Sequence, residues 1–338
     1  MNFNLNVYQP LLVYNDRMSV YSTTKTNSNN SLKVLVRSQN DEHIRFVSTL
    51  ANALSVSYEA IDDLKAFFQA SKTPEKTILF CDIQFMNELT GAGIDPNLLF
   101  IFSEQKLQEI TIQEDMPFGH FLSKFSLSPE KSALELLPYL KTALNETAPA
   151  LEHFLAEIHK TQVYEISHTG HKAKILEALA QQLAELGFNA RVATTMITVV
   201  DELIMNAIFD APVDASGART MMELPRDVHF ELPAGHHITF ETSFDNDKFA
   251  ISISDPFGSL DRKLLMKHLC KDYSADNYLV MKNTQGAGIG LSTSIQKGVS
   301  LHFYCEKGKN TKVLASFPRH IDTQSMRSSF QHISLIFR

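Results

Sequence analysis

The stretch VVDELIMNAIFDAP (199–212) decides the fold, read together with AISISDPFGSL (250–260) and NTQGAGIGLSTS (283–294) further along. In the first, Val199, Leu203, Ala207 and Ile208 fall at helical spacing and make a face that can pack. Glu202 and Asn206 stand four residues apart, so both side chains leave the same side of that helix. The second segment alternates apolar and small residues into Asp255 and Gly258, as a strand does when it runs out into a loop. The third places Gly286, Gly288 and Gly290 at alternate positions, then Leu291 and a helix-like run to Gly298.

Each segment suits one part of a nucleotide. A buried carboxylate at Asp255 accepts from an adenine amino group and, when ionised, has no donor to offer. Glycines ahead of a helix let backbone N–H groups approach phosphate oxygens, and the helix N-terminus favours negative charge. Asn206 offers a neutral oxygen to a hard cation such as Mg²⁺, which keeps several waters and bridges phosphates. Glu202 can then orient or deprotonate a nucleophile near the terminal phosphate.

In this order and within one domain's length, the three segments resemble the GHKL superfamily of ATP-binding domains, which includes gyrase, the histidine kinases and the mismatch-repair ATPases. ELIMNAIFDA is similar to the N box, DPFGSL to the first glycine box and GAGIGLS to the second. The resemblance implies a C-terminal α/β sandwich of the GHKL (Bergerat) type, with ATP and Mg²⁺ as cofactors. It implies Glu202 as catalytic base and Asn206 as metal ligand. The nucleotide-binding positions it implies are Asn206, Asp210, Asp255, Gly258, Gly286, Gly288, Ile289, Gly290, Leu291 and Thr311. The first glycine box departs from D-x-G-x-G, because Phe257 takes the first glycine position and only Gly258 remains. That stiffens the loop under the adenine while leaving the Asp255 contact intact.

The chain has 338 residues, enough for about two domains. Hydrophobic residues at 44% and charged residues at 20% describe an ordinary globular composition. A formal charge of −7 argues against nucleic-acid binding, which needs a basic patch. Cys81, Cys270 and Cys305 are odd in number and far apart, so no disulfide framework is implied. No run approaches the ~20 apolar residues of a membrane span, and the start lacks the pattern of a signal peptide. A cytoplasmic protein is expected.

Residues 1–30 end in a polar low-complexity stretch and are expected to be flexible. From 31 to 145 strand patterns (31–38, 56–61, 76–83, 97–103 and a weaker one near 117–125) alternate with helical ones (41–55, 129–144), which implies a doubly wound parallel sheet. This layout resembles the response-regulator receiver domain, with Asp82 at the phosphoacceptor position, Ser103 at the hydroxyl and Lys124 at the lysine. Where a receiver carries an acidic pair for Mg²⁺, Arg37 and Ser38 stand instead. The domain is therefore expected to be degenerate and to signal by contact, with Asp82 capping the turn that follows it.

Residues 146–162 are expected to form a linker helix. The segment 128–160 reads equally as a dimerising helix, giving a homodimer, or as the last receiver helix with a packed linker. The ATP-binding domain is placed at 163–322, with a hairpin around Asn246–Asp247, an insertion-like loop at 213–227, a lid region at 259–285 and a closing hairpin at 299–318. Within the lid, Arg262, Lys263, Lys267, Lys271 and Lys282 are candidates for the γ-phosphate. Residues 323–338 are expected to be a tail whose SLIF patch can pair with an edge.

Glu followed four later by Asn resembles the anti-sigma-factor serine kinases and their ATPase relatives. The function expected is that of an ATP-binding regulator in two-component-like signalling: a serine kinase-like or ATPase domain under a receiver-like domain, acting on a signalling protein partner without nucleic acid or membrane. The alternatives are a non-catalytic ATP-dependent switch and a histidine kinase-like phosphotransfer protein. The last lacks an identified acceptor, since His153, His159, His168 and His171 read as surface or packing histidines.

Overall fold

The computed structural model describes residues 32–72, 76–89, 91, 93–105, 116–125, 128–145, 147–269, 291, 294–295, 297–319 and 322–338. Asp41–Leu54 (α1) follows Leu32–Arg37 (β1), and its first turn is capped by Asn40, whose side chain accepts from Glu42 N–H at 2.8 Å. The helix stops where Ser55 turns left-handed, at φ 57°. Its buried face, His43, Phe46, Val47, Leu50 and Ala51, follows the 3.6-residue period. Tyr58–Ala60 (β2), Leu64–Ser71 (α2), Lys76–Asp82 (β3), Met86–Leu89 (α3), Leu99–Phe102 (β4), His120–Leu122 (β5) and Pro129–Asn145 (α4) complete the N-terminal half.

These strands pair in parallel in the order β2-β1-β3-β4-β5, the order of flavodoxin-like doubly wound sheets. β3 and β4 are apolar and buried nearly throughout, as strands covered on both faces must be. Phe46 of α1 and Leu136 and Leu140 of α4 cover one face, and Phe67 of α2 lies in the core under the other.

The C-terminal half contains Lys160–Ile166 (β6), His171–Glu185 (α5), Ala190–Met205 (α6), Ile238–Phe244 (β7), Lys248–Asp255 (β8), Arg262–Leu269 (α7), Ser300–Glu306 (β9) and Asn310–Pro318 (β10). The expected hairpins are both present: β7 meets β8 across Asp245–Asp247, and β9 meets β10 across Lys307–Lys309. α5, α6 and α7 contribute to a single apolar core with the sheet, and that core continues without a break into the α2 side of the N-terminal half.

Two expectations are corrected. Residues 146–162 are no linker helix: α4 ends at Asn145, a 3-10 turn spans Leu151–Phe154, and β6 has begun by Lys160. Pro149 biases the residue before it away from helical geometry, and Leu151 and Phe154 instead bury against Ala250 and Leu314. Residues 323–338 are no tail either. After a short helix, Thr323–Ser328, the strand His332–Phe337 (β11) lies in the middle of the sheet, antiparallel to β5 and parallel to β9. Ile333 and Leu335 join the main core while Ile336 packs with Ala143 and Tyr304 on the opposite face, so the strand is buried on both sides.

The molecule is thus an α/β protein built, among the described residues, on one mixed eleven-stranded sheet, ordered β2-β1-β3-β4-β5-β11-β9-β10-β8-β7-β6. Among the described residues one helix, Ala190–Asp210, has the length and composition of a membrane span, a stretch the sequence does not single out as one. Its apolar residues Val192, Met196, Val199, Val200 and Ile204 are core residues of this fold.

Candidate functional site

α6 begins at Asn189, whose side chain accepts from Arg191 N–H at 2.9 Å, and buries one apolar face beneath the sheet. At its C-terminal end the helix widens into a π turn over Asn206–Asp210, closed by Ala211 N–H donating to the Asn206 carbonyl at 3.0 Å. π turns inside α-helices recur at functional sites. Here Asn206, Ala207, Asp210 and Ala211 all face one cavity of about 210 Å³.

Ile253 of β8, Phe303 of β9 and Val313 of β10 supply its sheet side, and Leu203 of α6, Leu264 and Leu265 of α7 and Leu291 line the rest. Set into this apolar surround are Asn206, Asp210, Arg219, Asp255, Ser259 and Thr311. Ligand sites have this composition: mostly apolar walls with a few convergent polar groups.

Asp255 ends β8 and is 7% exposed. It stands opposite Thr311 in the β8–β10 register and accepts from Phe257 N–H at 3.0 Å. Burial raises its pKa to about 6, against the opposing pull of the Phe257 N–H bond, of the neighbouring Thr311 and Gly258, and of the Arg219 charge. Glu202 and Asp210 are also raised, in each case chiefly by burial, with Arg226 pulling the other way. Arg226 pairs with Asp210 at 3.0 Å and lies 4.7 Å over the Phe209 ring. Asn206 follows Glu202 by one turn and weakly opposes the rise of its carboxyl, while Glu202 itself stands outside the cavity lining.

The structure therefore brings Asn206, Asp210, Asp255, Leu291 and Thr311 to one cavity. Gly286, Gly288, Ile289 and Gly290 lie outside the described residues, as do Lys271, Lys282 and the side chain of Lys267. Gly258 serves the backbone: its φ is +55°, and a Cβ there would stand 2.2 Å from the Glu306 carbonyl oxygen in the β9–β10 turn. Gly308 N–H donates to the Gly258 carbonyl at 3.0 Å, fixing the loop after Asp255 to that turn. Arg262 points away from the cavity, toward Phe118 and Phe337, and Lys263 is exposed.

Arg219 and Arg226 were missed in the sequence because the 213–227 loop has no periodicity to mark an inward side chain. In the fold, Arg219 donates to the Asp210 carbonyl and lines the cavity, so this loop is a wall of the site.

A second cavity, of about 470 Å³, opens at the C-terminal ends of β1, β3 and β4 and includes Asp82, His43, Ser103 and Glu104. The expectation that Asp82 caps the following turn is corrected. Its side chain makes no cap bond; it accepts from Ser38 Oγ at 2.9 Å and Gln39 N–H at 3.2 Å, and meets His43 Nδ1 at 2.6 Å. His43 stacks on Phe102 at 4.2 Å and reaches Glu104 through Nε2 at 3.3 Å. Arg37 turns to Glu88 at 2.6 Å and covers the Phe85 ring, and Lys124 is exposed. The position of His43 on the buried face of an otherwise apolar helical stripe marks it in the sequence as inward-facing, but not as a partner of Asp82.

Among the described residues no group of three or more His, Cys, Asp or Glu is placed to hold a metal ion by itself. Compared with models of known protein families and with curated proteins, the sequence matches none.

Proposed function

We propose that the cavity between α6, α7 and the β8–β9–β10 face binds the base and sugar end of ATP, in a GHKL-type domain governed by a receiver-like half. The single observation that carries this reading is Asp255: a buried carboxylate inside an apolar cavity, on the same wall as Thr311 and facing the helix of Glu202 and Asn206. A carboxylate there is costly unless it has a recurrent donor to meet, and an adenine amino group is such a donor. The cavity is smaller than the roughly 300–1,000 Å³ of complete small-molecule sites, which suits a base held inside with phosphates extending beyond.

The donor set fits Mg²⁺ carried in with the nucleotide. Asn206 presents one amide oxygen, and a cation with one protein ligand takes the rest of its shell from phosphates and water. When bound, the ion neutralises charge developing on the phosphates. The chain's own residues do the remainder. Asp255 orients the base, Leu203, Leu264 and Leu265 exclude water from it, and Asn206 holds the phosphate end. Glu202, its carboxyl raised by burial, accepts a proton from an attacking hydroxyl or water. This is the chemistry of a serine kinase-like or ATPase domain acting on a protein partner.

A non-catalytic ATP-dependent switch is the second reading, favoured by the position of Glu202 outside the cavity lining, where it does not face the pocket itself. In the N-terminal half, the strand order and the places of Asp82 and Ser103 support a receiver-like origin. The clasp of Ser38 and His43 on Asp82 supports a contact role without metal-assisted phosphorylation.

Calorimetry with Mg·ATP on wild type and Asp255→Asn, with phosphate release followed in parallel, tests the reading. Binding in wild type that is lost in the variant is expected, and binding unaffected by the substitution overturns the site. Phosphate release abolished by Glu202→Ala with binding retained identifies an enzyme; binding without release identifies a switch.

A further inference from the structure

α7 has two dissimilar neighbours. Leu264 and Leu265 face the cavity, while Arg262, at the helix's first position, sends its guanidinium to the Phe118 carbonyl in the N-terminal half. The same group lies 6.0 Å from the Phe337 ring of β11. Arg262 is half-buried, and burial lowers its pKa, so its charge relies in part on that carbonyl.

The receiving corner is rigid. At Gly119 a Cβ would stand 2.0 Å from the Pro96 carbonyl oxygen, so the backbones of 118–119 and 96–97 are in direct contact. Gly119 N–H donates to Leu99 at 3.2 Å, and its carbonyl accepts from Leu335 N–H of β11 at 2.6 Å. Asn97 in turn clips β11, its side chain donating to the Phe337 carbonyl at 3.1 Å and accepting from Phe337 N–H at 3.0 Å. On the other side, α7 leaves directly from the loop of Asp255 and Gly258, which Ser259 Oγ ties to the Ala211 carbonyl at 2.6 Å.

We propose that Arg262 couples occupancy of the α6–α7 cavity to the seam between β5 and β11, so that ligand in the C-terminal half is felt by the receiver-like half through α7. The inference rests on the nucleotide reading of that cavity and names how the site is regulated. A ligand that shifts Leu264 and Leu265 moves the start of α7, and a corner held by the Gly119 backbone bonds and the Asn97 side-chain clip cannot follow without loosening Leu335 or Asn97. Coupling of this kind is reciprocal, so a partner engaging the N-terminal half changes nucleotide affinity by the same factor.

Amide hydrogen exchange on the full chain, with and without saturating Mg·ATP, reads both ends. In wild type, exchange at 116–122 and 332–337 changes by about fivefold or more on binding. Arg262→Met retains nucleotide affinity within about threefold, since Arg262 lies outside the cavity, but the seam no longer responds. Arg262→Lys, which keeps charge and a donor, restores part of the response. A seam in wild type that ignores bound nucleotide overturns the coupling and leaves the site reading standing; so does a response that persists in Arg262→Met. Absence of any binding heat in wild type overturns the nucleotide reading and the coupling with it.

Discussion

A carboxylate that costs stability in the free protein is the clearest single-residue feature. Asp255 has its folded pKa raised from 3.8 to about 6. Between those values the folded chain holds a proton that the unfolded chain has released, so stability falls as pH rises through the window. At pH 7 the ionised group then costs about 3 kcal/mol, at roughly 1.4 kcal/mol per pKa unit. Asp255→Asn, which keeps an acceptor for Phe257 N–H, should therefore raise the unfolding free energy of the free protein at pH 7 by about 2–3 kcal/mol in urea titrations. Nucleotide binding has the opposite preference. The ionised form is the acceptor, so affinity for Mg·ATP should strengthen as pH rises from 5 to 7, and a flat profile in the wild type would argue against Asp255 as the base contact. The residue itself was legible in sequence, because a strand pattern ending in Asp-Pro-Phe-Gly marks its position. The hold on Asp82 was not. Ser38, His43 and Asp82 come from the end of β1, α1 and β3, and only tertiary packing shows that they meet.

At the scale of elements, periodicity served well wherever one face of a segment is buried. α1, α4 and α6 appeared as amphipathic patterns, and both hairpins were marked by short polar turns between apolar runs. It served poorly at 146–162 and 323–338. In the first, apolar residues spaced as on a helix belong to a 3-10 turn and to the link that leads into β6. In the second, a short apolar run carries no periodicity that distinguishes an edge from a central strand, and its partners lie far off in the chain. The side chain of Asn97 is what fastens β11 there, by two hydrogen bonds to the backbone of Phe337. Asn97→Ala removes both and leaves a half-buried N–H and C=O to find other partners. A loss of about 2–3 kcal/mol is expected in chemical denaturation, with amides of 332–337 losing protection first.

For the molecule as a whole, three imidazoles at the join of the halves set the response to acid. His120 of β5, His332 of β11 and His302 of β9 are fully or nearly fully buried, the last two beside Tyr139. Burial lowers the first from 6.5 to about 3 and the other two well below 6.5, with the mutual repulsion of the three adding to it for His302 and His332. The unfolded chain takes up protons near 6.5 that the folded one refuses, so stability is complete above that pH and declines as pH falls through it toward 3. Three such groups cost about 2 kcal/mol between pH 7 and 6. The raised carboxyl of Asp255 offsets a part of this only below about 6. Thermal melts at pH 7.5, 6.5 and 5.5 should show the decline, and His302→Phe, which keeps the stack on Tyr139 at 3.6 Å, should flatten it. None of this was legible in the sequence, where the three histidines stand at 120, 302 and 332 with nothing between them to suggest a cluster.

The position of β11 also bears on how the chain is made. Every strand it touches precedes it, so vectorial synthesis delivers both halves before the piece that fastens them. In that interval β5 and β9 are open edges, each with a row of unpaired backbone groups ready to accept a strand from any source. A nascent chain is then open to pairing with β11 of a neighbouring copy, a domain swap built from native contacts alone. Crowded expression should favour such exchanged assemblies over disordered aggregates, and dilute refolding should return a sheet closed within each chain.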